Sequence, residues 1–307
     1  MNDQDINSDS HQTINFKDLI SILYNEKKLI ILSTLFFVIL SVSFVLYLPN
    51  KYIATALLEV NSHDSDSTIT SISGQLGGLG SLAGISLPGE SSKAEYAVAY
   101  IKSKKMLSLL LTQPGVRENL FATKSYNKIT KKITYDSKIF NSQTNEWVRK
   151  VKVGEKKIPS LHDIHQDIIS KQLSVSINRK SGFILISFTH ISPVFAKEYV
   201  DLIIQVLNSE ARMKDLDESK EALTYYNNKI KNAENFSIKN SINKLIELEL
   251  KKEMLGSLQI DYLLIPIDGP FIPEKKSEPQ RSLIVILISM FGFALSISYV
   301  LIRKFIL

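Results

Sequence analysis

Two long apolar runs, one near each end, most strongly constrain how this chain of 307 residues can fold. The first, residues 29–48, contains no charged side chain, and at about 1.5 Å rise per residue it spans a hydrocarbon core of about 30 Å. The second, residues 283–302, has the same length, and its Leu, Ile, Val and Phe residues each favour insertion by roughly 0.3–0.6 kcal/mol. Soluble helices rarely run this far without a polar face. We therefore expect two transmembrane helices, and not two buried core helices.

The first run differs from a cleaved signal peptide in two respects. It is longer than the apolar stretch of about 7–15 residues found in such peptides, and Pro49-Asn50-Lys51-Tyr52 follows it instead of an A-x-A-like cleavage site. We expect the first run to stay attached.

Two spans place both termini on one side of the membrane, and basic residues flank both sides. Those on the side of the termini are Lys17, Lys27, Lys28, Arg303 and Lys304. Those on the side of the central region are Lys51, Lys275, Lys276 and Arg281. Basic residues are slightly more numerous on the side of the termini, and a lysine pair abuts the first span there. This asymmetry favours residues 1–28 and 303–307 in the cytoplasm and residues 49–282 in the periplasm. The absence of cysteine is compatible with an oxidising compartment.

Composition indicates a folded central region without a nucleic-acid partner. Hydrophobic residues make up 44% and charged residues 22% of the chain, enough for a domain with a core. The net charge is +6, but 37 Lys and Arg are scattered among 31 Asp and Glu instead of forming a basic stripe.

The central region alternates between helical and strand patterns, which predicts an α+β fold. A polar start at residues 1–12 is expected to be disordered, and residues 14–23 have the spacing of an amphipathic helix lying on the membrane. The remaining predicted elements are a strand leaving the membrane at 52–60, a helix at 95–111, an irregular β region at 125–158, and a β-hairpin of 173–177 with 183–188.

A long helix is expected to begin at Ser192-Pro193, because serine caps a helix and proline suits its first turn. Apolar residues recur at helical spacing through Ala233, and a second helix follows a break near Asn235. Together they predict an extended helical stalk at about 193–260, joined to a membrane-proximal mixed α/β part. The stalk has little apolar face of its own, which leaves two alternatives: packing against other copies of the chain, or an intramolecular helical hairpin.

Residues 74–85 are the most biased segment, with five glycines and three leucines. A phosphate-binding loop would need Gly-Lys-Ser/Thr opening a helix, and that motif is missing. The segment is therefore interpreted as a flexible loop whose glycines permit close packing. The alternative is a role in subunit contact or in passing a chain-like ligand.

Catalytic motifs are absent from the sequence. His162 and His165 are three apart, which on a helix would bring two nitrogens near one metal ion, but no third ligand is obvious. His11, His63 and His190 are isolated and are interpreted as solvated or structural. No nucleophile-elbow, zinc-protease or dinucleotide-binding pattern is present. We expect no enzyme activity, no cofactor and no metal site.

Small residues in the second span offer a place for close helix contact. Gly292 and Ser296 are four apart, a small-xxx-small step that lets helices approach each other. It is interpreted either as an assembly contact or as ordinary membrane-helix composition.

The segment before the second span contains an Ile-Asp pair, spaced prolines, and Pro-x-Arg abutting the second helix, at Ile267-Asp268, Pro273, Pro279 and Arg281. This pattern resembles the proline-rich junction of the Wzz-type polysaccharide co-polymerases, the chain-length determinants of bacterial surface polysaccharides. Prolines stiffen this entry into the bilayer and Arg281 can lie among lipid headgroups. The amphipathic segment with Lys27-Lys28, the strand after the first span and the Ser192-Pro193 helix start resemble the same family in the same order, over nearly the whole chain.

This resemblance implies a non-catalytic bacterial inner-membrane protein that forms a homo-oligomeric ring. Such a protein sets the length to which a membrane polymerase extends lipid-linked repeats. The candidate assembly or polymerase-contact residues are Asp268, Pro270, Pro273, Pro279, Arg281, Gly292 and Ser296. Lipopolysaccharide O-antigen is the expected polysaccharide. The alternative is a co-polymerase for capsule or exopolysaccharide export working with a separate tyrosine kinase.

Two departures from the family bear on the subclass. Some members continue into a cytoplasmic tyrosine kinase, whereas this sequence has five residues after Ile302, so we expect no kinase domain. Gly269-Pro270 stands where many members have other small residues. The same short tail disfavours a two-span sensor with a cytoplasmic output domain, and the missing motifs disfavour an envelope enzyme.

Overall fold

The computed structural model describes residues 21, 23–61, 90–258 and 260–305. They fall into two compact units, one of Met1–Asn50 with Glu278–Leu307 and the other of Lys51–Ser277. The predicted disordered start at 1–12, most of the predicted amphipathic helix at 14–23 and the glycine-rich segment at 74–85 lie outside the described residues.

Helices and strands follow each other in an order that mixes both types, so the predicted α+β class is confirmed. The helices are α1 (Lys27–Tyr47), α2 (Glu90–Ile101), α3 (Lys104–Leu110), α4 (Val116–Ala122), α5 (Leu161–Asp167), α6 (Pro193–Lys231), α7 (Phe236–Leu258) and α8 (Arg281–Phe305). The strands are β1 (Tyr52–Val60), β2 (Thr123–Asn127), β3 (Lys132–Tyr135), β4 (Phe140–Asn141), β5 (Glu146–Trp147), β6 (Leu173–Ile177), β7 (Ile184–His190) and β8 (Leu264–Asp268). A π-helical turn, Ile168–Gln172, continues α5 into β6.

The first unit consists of α1 packed against α8, and both are long and apolar enough to cross a membrane. Their bounds agree with the predicted spans to within a few residues. Large apolar side chains point away from the pair: Leu32 is 70% exposed and Met290 is 65% exposed. Such a surface is favourable in hydrocarbon and costly in water.

The second unit is built on a four-stranded antiparallel sheet in the order β6-β7-β1-β8. The predicted hairpin is the β6–β7 pair, and β1 is added beside β7 so that Ala56 and Val175 both lie opposite Ile186. Alternate residues of β1 are buried, as expected for a strand with one face in a core.

The long helix α6 begins as predicted, since the Ser192 hydroxyl accepts a hydrogen bond from the Phe195 N–H at 3.2 Å. Its first four turns are not part of a stalk but cover the sheet, where Tyr199, Ile203 and Leu207 are almost fully buried. These residues were predicted as the start of an extended element. Burial against β1 and β7 is what holds them in the core.

The rest of α6 packs against α7, so the helical hairpin is the alternative present within one chain. Lys252 Nζ lies 4.0 Å from an Asp215 carboxylate oxygen across the pair. Gly256 permits the close approach, because a Cβ there would be 3.0 Å from Leu216 Cδ2. Packing between copies remains a prediction.

Residues 95–111 form two helices instead of the single predicted one. The break is at Ser103, whose hydroxyl accepts from the Met106 N–H at 3.1 Å and so caps α3. Helix α4 was not predicted; it starts after Gly115, whose φ of +77° suits glycine. Two short hairpins, β2–β3 and β4–β5, occupy much of the stretch predicted as irregular β structure.

Candidate functional site

The candidate contact residues are divided between the two units. Asp268, Pro270 and Pro273 belong to Lys51–Ser277, whereas Pro279, Arg281, Gly292 and Ser296 belong to the first unit, which contains the helix pair. Among the described contacts, only the Ser296 hydroxyl and the Gly292 carbonyl oxygen, 2.7 Å apart within one helical turn, join two of these residues. Each part is described below by itself.

Strand β8 leads into the junction and is held by an asparagine that the sequence did not mark. The Asn208 side-chain oxygen Oδ1 accepts from the N–H groups of Leu263 and Leu264 at 3.0 and 2.8 Å. Its side-chain nitrogen Nδ2 donates to the Leu264 backbone carbonyl oxygen at 2.9 Å. Asn208 is only 4% exposed, so this buried amide satisfies three backbone groups that face α6. It fixes the strand from which the junction departs.

The junction beyond β8 is irregular and partly apolar at its surface. Asp268 lies opposite Leu57, next to a shift in the register of β1 and β8. Pro273 is buried, while Phe271 is 56% exposed and Pro270 is half-buried. The Ser277 N–H then donates to the Lys51 carbonyl oxygen at 2.9 Å, which ties the end of the junction to the start of β1.

Arg281 connects the two long apolar helices of the first unit. Its Nη2 donates to the Asn50 side-chain oxygen at 3.1 Å and to the Leu48 carbonyl oxygen at 3.4 Å. Leu48 caps the C-terminal end of α1, where unsatisfied carbonyls give a partial negative charge. A guanidinium is therefore favourable there. Arg281 is thus the first residue of α8, and its side chain binds the C-terminal end of α1.

The small-xxx-small step of α8 faces α1 of the same chain. A Cβ added to Gly292 would lie 2.4 Å from Phe37 Cγ, so only glycine admits this ring. One turn later the Ser296 hydroxyl, which donates to the Gly292 carbonyl oxygen, lies 2.9 Å from the Ser33 hydroxyl and can accept a hydrogen bond from it. Close contact between membrane helices commonly uses such pairs of small residues. A contact between copies at this step remains a prediction, and within one chain the step packs the helix pair.

We predict that cysteines at positions 33 and 296 form a disulfide within one chain. The natural sequence has no cysteine, and the two serine hydroxyls are close enough for a disulfide to span the positions. After mild oxidation of the full-length Ser33→Cys, Ser296→Cys protein in membranes, both thiols should be protected from a maleimide-PEG reagent while the chain migrates as a monomer. The pair Ser33→Cys, Ser298→Cys is the control, because Ser298 is exposed. A dimer band as the main product would contradict the intrachain contact.

Two of the three histidines in the described residues make structural contacts. His190 is 5% exposed; its Nδ1 accepts from the Ser192 N–H at 3.0 Å, so Nε2–H donates to the Asn119 carbonyl oxygen at 2.9 Å. Burial lowers the pKa of His190 to about 4. His165 Nε2 lies 2.7 Å from the Lys102 carbonyl oxygen. Within the described ranges, no three His, Asp or Glu side chains are grouped as metal ligands would be.

Four residues of these contacts escaped sequence reasoning: Asn208, Ser33, Phe37 and Asn50. Asn208 had a usable signal, because it is a polar residue next to Leu207 on an otherwise apolar helix face. For Phe37 no local signal exists, since its role depends on a glycine in the other apolar run.

Comparison with known proteins supports the resemblance in the N-terminal part. Residues 12–113 match the family model described as chain length determinant protein, Wzz. The range includes α1 and β1, whereas Ser192-Pro193 and the proline-rich junction lie outside it. No curated protein matches the sequence. A solved structure described as a full-length bacterial polysaccharide co-polymerase is similar over 94% of this chain and 97% of that chain, with 14% identity and a TM-score of 0.42.

Proposed function

We propose that this protein is a non-catalytic regulator of the chain length of a bacterial surface polysaccharide, acting beside the polymerase in the inner membrane. The observation that carries the proposal is the match of residues 12–113 to the chain-length determinant family. The second membrane-length helix near the other end supports it, because a regulator of a membrane polymerase must lie beside that enzyme. Lipopolysaccharide O-antigen is the proposed polymer.

The proposed topology places both termini in the cytoplasm and Lys51–Ser277 in the periplasm. The exposed apolar surfaces of α1 and α8 support membrane insertion of both helices. The basic residues on the side of the termini support the orientation. In this topology the sheet and the helical hairpin would lie where lipid-linked repeats are joined.

The proposal is tested by deleting the gene and separating the surface polysaccharides by gel electrophoresis. We expect the modal cluster of the lipopolysaccharide ladder to be replaced by a broad distribution of lengths, and a plasmid copy to restore it. A change in capsule or exopolysaccharide instead would favour the alternative co-polymerase role. If every surface polysaccharide keeps its modal length, the proposal is wrong.

We further propose that copies of the chain assemble through α7. Three apolar side chains four residues apart, Leu250, Met254 and Leu258, are 50%, 59% and 74% exposed along this helix. Their spacing puts them on adjoining parts of one helix surface, as residues that pack against a partner helix would be. The partner helix would come from a second copy of the chain, as in the homo-oligomeric ring that the family resemblance implies.

A charge within this stripe is predicted to weaken the assembly. The Leu250→Glu variant, purified in mild detergent, should show a smaller mass by light scattering than the wild-type oligomer, because an isolated carboxylate resists burial in an apolar contact. Asn240→Glu is the control, since Asn240 is exposed on the same helix about 15 Å along its axis before Leu250. A monomeric wild-type protein would refute the assembly, and an unchanged mass of Leu250→Glu would refute this surface.

A further inference from the structure

A cleft of about 750 Å³ in the Lys51–Ser277 unit is not used by any contact described so far. Its volume is in the range of small-molecule sites, about 300–1,000 Å³. The lining residues come from α3, α4, α5 and the loop before α5. Two of them are arginines, Arg117 and Arg149, placed 32 residues apart in the chain and brought to one cavity by the fold.

Backbone carbonyls hold both arginines in place. Arg149 donates from Nε to the Lys157 carbonyl oxygen at 2.6 Å and from Nη2 to that of Lys156 at 3.0 Å. Arg117 donates from Nη1 to the Pro159 carbonyl oxygen at 3.1 Å. The guanidinium of Arg149 also lies over the Phe121 ring, 5.6 Å from its centroid. These contacts leave other N–H groups of both guanidiniums without a hydrogen bond in the described part of the chain. Fixed guanidiniums with free N–H groups are suited to bind a carboxylate or a phosphate.

The charge of the cleft favours an anion. Its cations are Arg117, Arg149 and Lys156, and its carboxylates are Glu155 and Asp163. Both carboxylates are already engaged by the backbone: Asp163 accepts from the Ser160 N–H at 3.3 Å and Glu155 from the Lys152 N–H at 3.4 Å. The Asp163 carboxylate also forms an ion pair with Arg149 Nη2 at 3.9 Å, without a hydrogen bond, so three cations against two carboxylates leave the lining with an excess of one positive charge. A second cleft, of about 710 Å³, lacks this excess, since Glu59 and Glu95 balance its Arg179 and Lys180.

Hydroxyl and apolar groups complete the lining. Ser108 and Ser160 offer hydroxyls, and Leu111, Ile158 and Leu161 offer apolar surface. A ligand that suits all three kinds of group carries a negative charge, hydroxyls and a C–H face, which describes an acidic sugar. We propose that this cleft binds an acidic saccharide, with the sugar carboxylate on the guanidiniums of Arg117 and Arg149. The choice of a saccharide rests on the proposed function; the preference for an anion rests on the arginines.

Binding is measured on the full-length protein in detergent by the fluorescence of Trp147, the single tryptophan of the chain. Its ring centroid lies 6.2 Å from that of Phe121, the ring under Arg149, so a ligand in the cleft should change its emission. The probes are short galacturonic acid oligosaccharides, neutral maltooligosaccharides of the same length, and inorganic phosphate. We expect saturable binding of the acidic probe, at least tenfold weaker binding of the other two, and weaker binding at higher salt.

Arg117→Gln should weaken binding of the acidic probe at least tenfold, because it removes the charge and the guanidinium fork. Arg117→Lys keeps the charge and should fall between this variant and the wild type. The matched control is Lys150→Gln, an exposed lysine outside the lining, which should bind within twofold of the wild type. Circular dichroism verifies that each variant is folded.

Three results would overturn the proposal. They are equal binding of the neutral and acidic probes, equal binding of phosphate and the acidic probe, and no saturable binding of the acidic probe. Each is measured on the wild-type protein and does not depend on the stability of a variant. Loss of modal length on gene deletion without binding would reject only the cleft, whereas binding with unchanged modal length would reject only the proposed function.

Discussion

Replacement of Asn208 by leucine is expected to lower the unfolding free energy of the Lys51–Ser277 unit by about 3–5 kcal/mol. The side chain is buried and bonds the N–H groups of Leu263 and Leu264 and the carbonyl of Leu264. Leucine has a similar size and would leave all three groups unpaired, at about 1–3 kcal/mol each. The free energy is measured by chemical denaturation of the full-length protein in detergent, followed by circular dichroism.

Gln205→Leu is the matched control for this variant, because Gln205 is exposed one turn earlier on α6. It should stay within about 0.5 kcal/mol of the wild type. Hydrogen exchange of the Leu263 and Leu264 amides gives a local readout, and both should lose protection in Asn208→Leu. Wild-type protection at these two amides would show that β8 is held by other contacts.

Acid is expected to destabilise the same unit through His190, by about 3 kcal/mol in total. Burial lowers the pKa of His190 to about 4 in the folded chain, from its ordinary value of 6.5. Between these values the unfolded chain binds more protons than the folded one, so stability falls as the pH falls, at about 1.4 kcal/mol per unit. The loss begins near pH 6.5 and is complete below about pH 4.

The measurement is unfolding free energy against pH for the wild type and for His190→Gln, which cannot titrate. Carboxylates also gain protons below about pH 5, but they do so in both proteins, so the difference between the curves isolates the histidine. His162→Gln replaces an exposed histidine and should keep the wild-type slope between pH 6.5 and 5. Parallel curves for wild type and His190→Gln would show that folding does not lower the pKa of His190, and would contradict the prediction.

Elements defined by local periodicity could be predicted from the sequence. The two membrane-length helices, β1, the β6–β7 hairpin and the Ser192 cap each depend on residues within a few positions of each other. The break at Ser103 and the short α4 could not, because hydroxyl capping and a positive φ at Gly115 compete with a continuous apolar pattern. The first half of α6 was predicted as stalk, because its periodicity does not reveal that a sheet covers it.

For the candidate site, the sequence indicated several residues that make specific contacts, but it did not indicate the residues they contact. Arg281, Gly292 and Ser296 make specific contacts, yet their partners Asn50, Phe37 and Ser33 lie in the other apolar run or just after it. The separation of 263 residues between Ser33 and Ser296 places the pairing beyond any local pattern. Asn208 and Leu264 are 56 residues apart, and their bond likewise exists only once α6 covers the sheet.

The outer edge of β8 limits how copies of this domain can join. Leu264 turns its N–H and C=O away from β1, and both are taken by Asn208. Pro266, two residues later on the same edge, has no N–H to donate. A strand from a neighbouring molecule would find the Leu264 groups already bonded and no donor at Pro266, so strand addition at this border is disfavoured. The proposed assembly through α7 would need no strand pairing at this border, and so would not merge the β-structure of neighbouring subunits into a fibre.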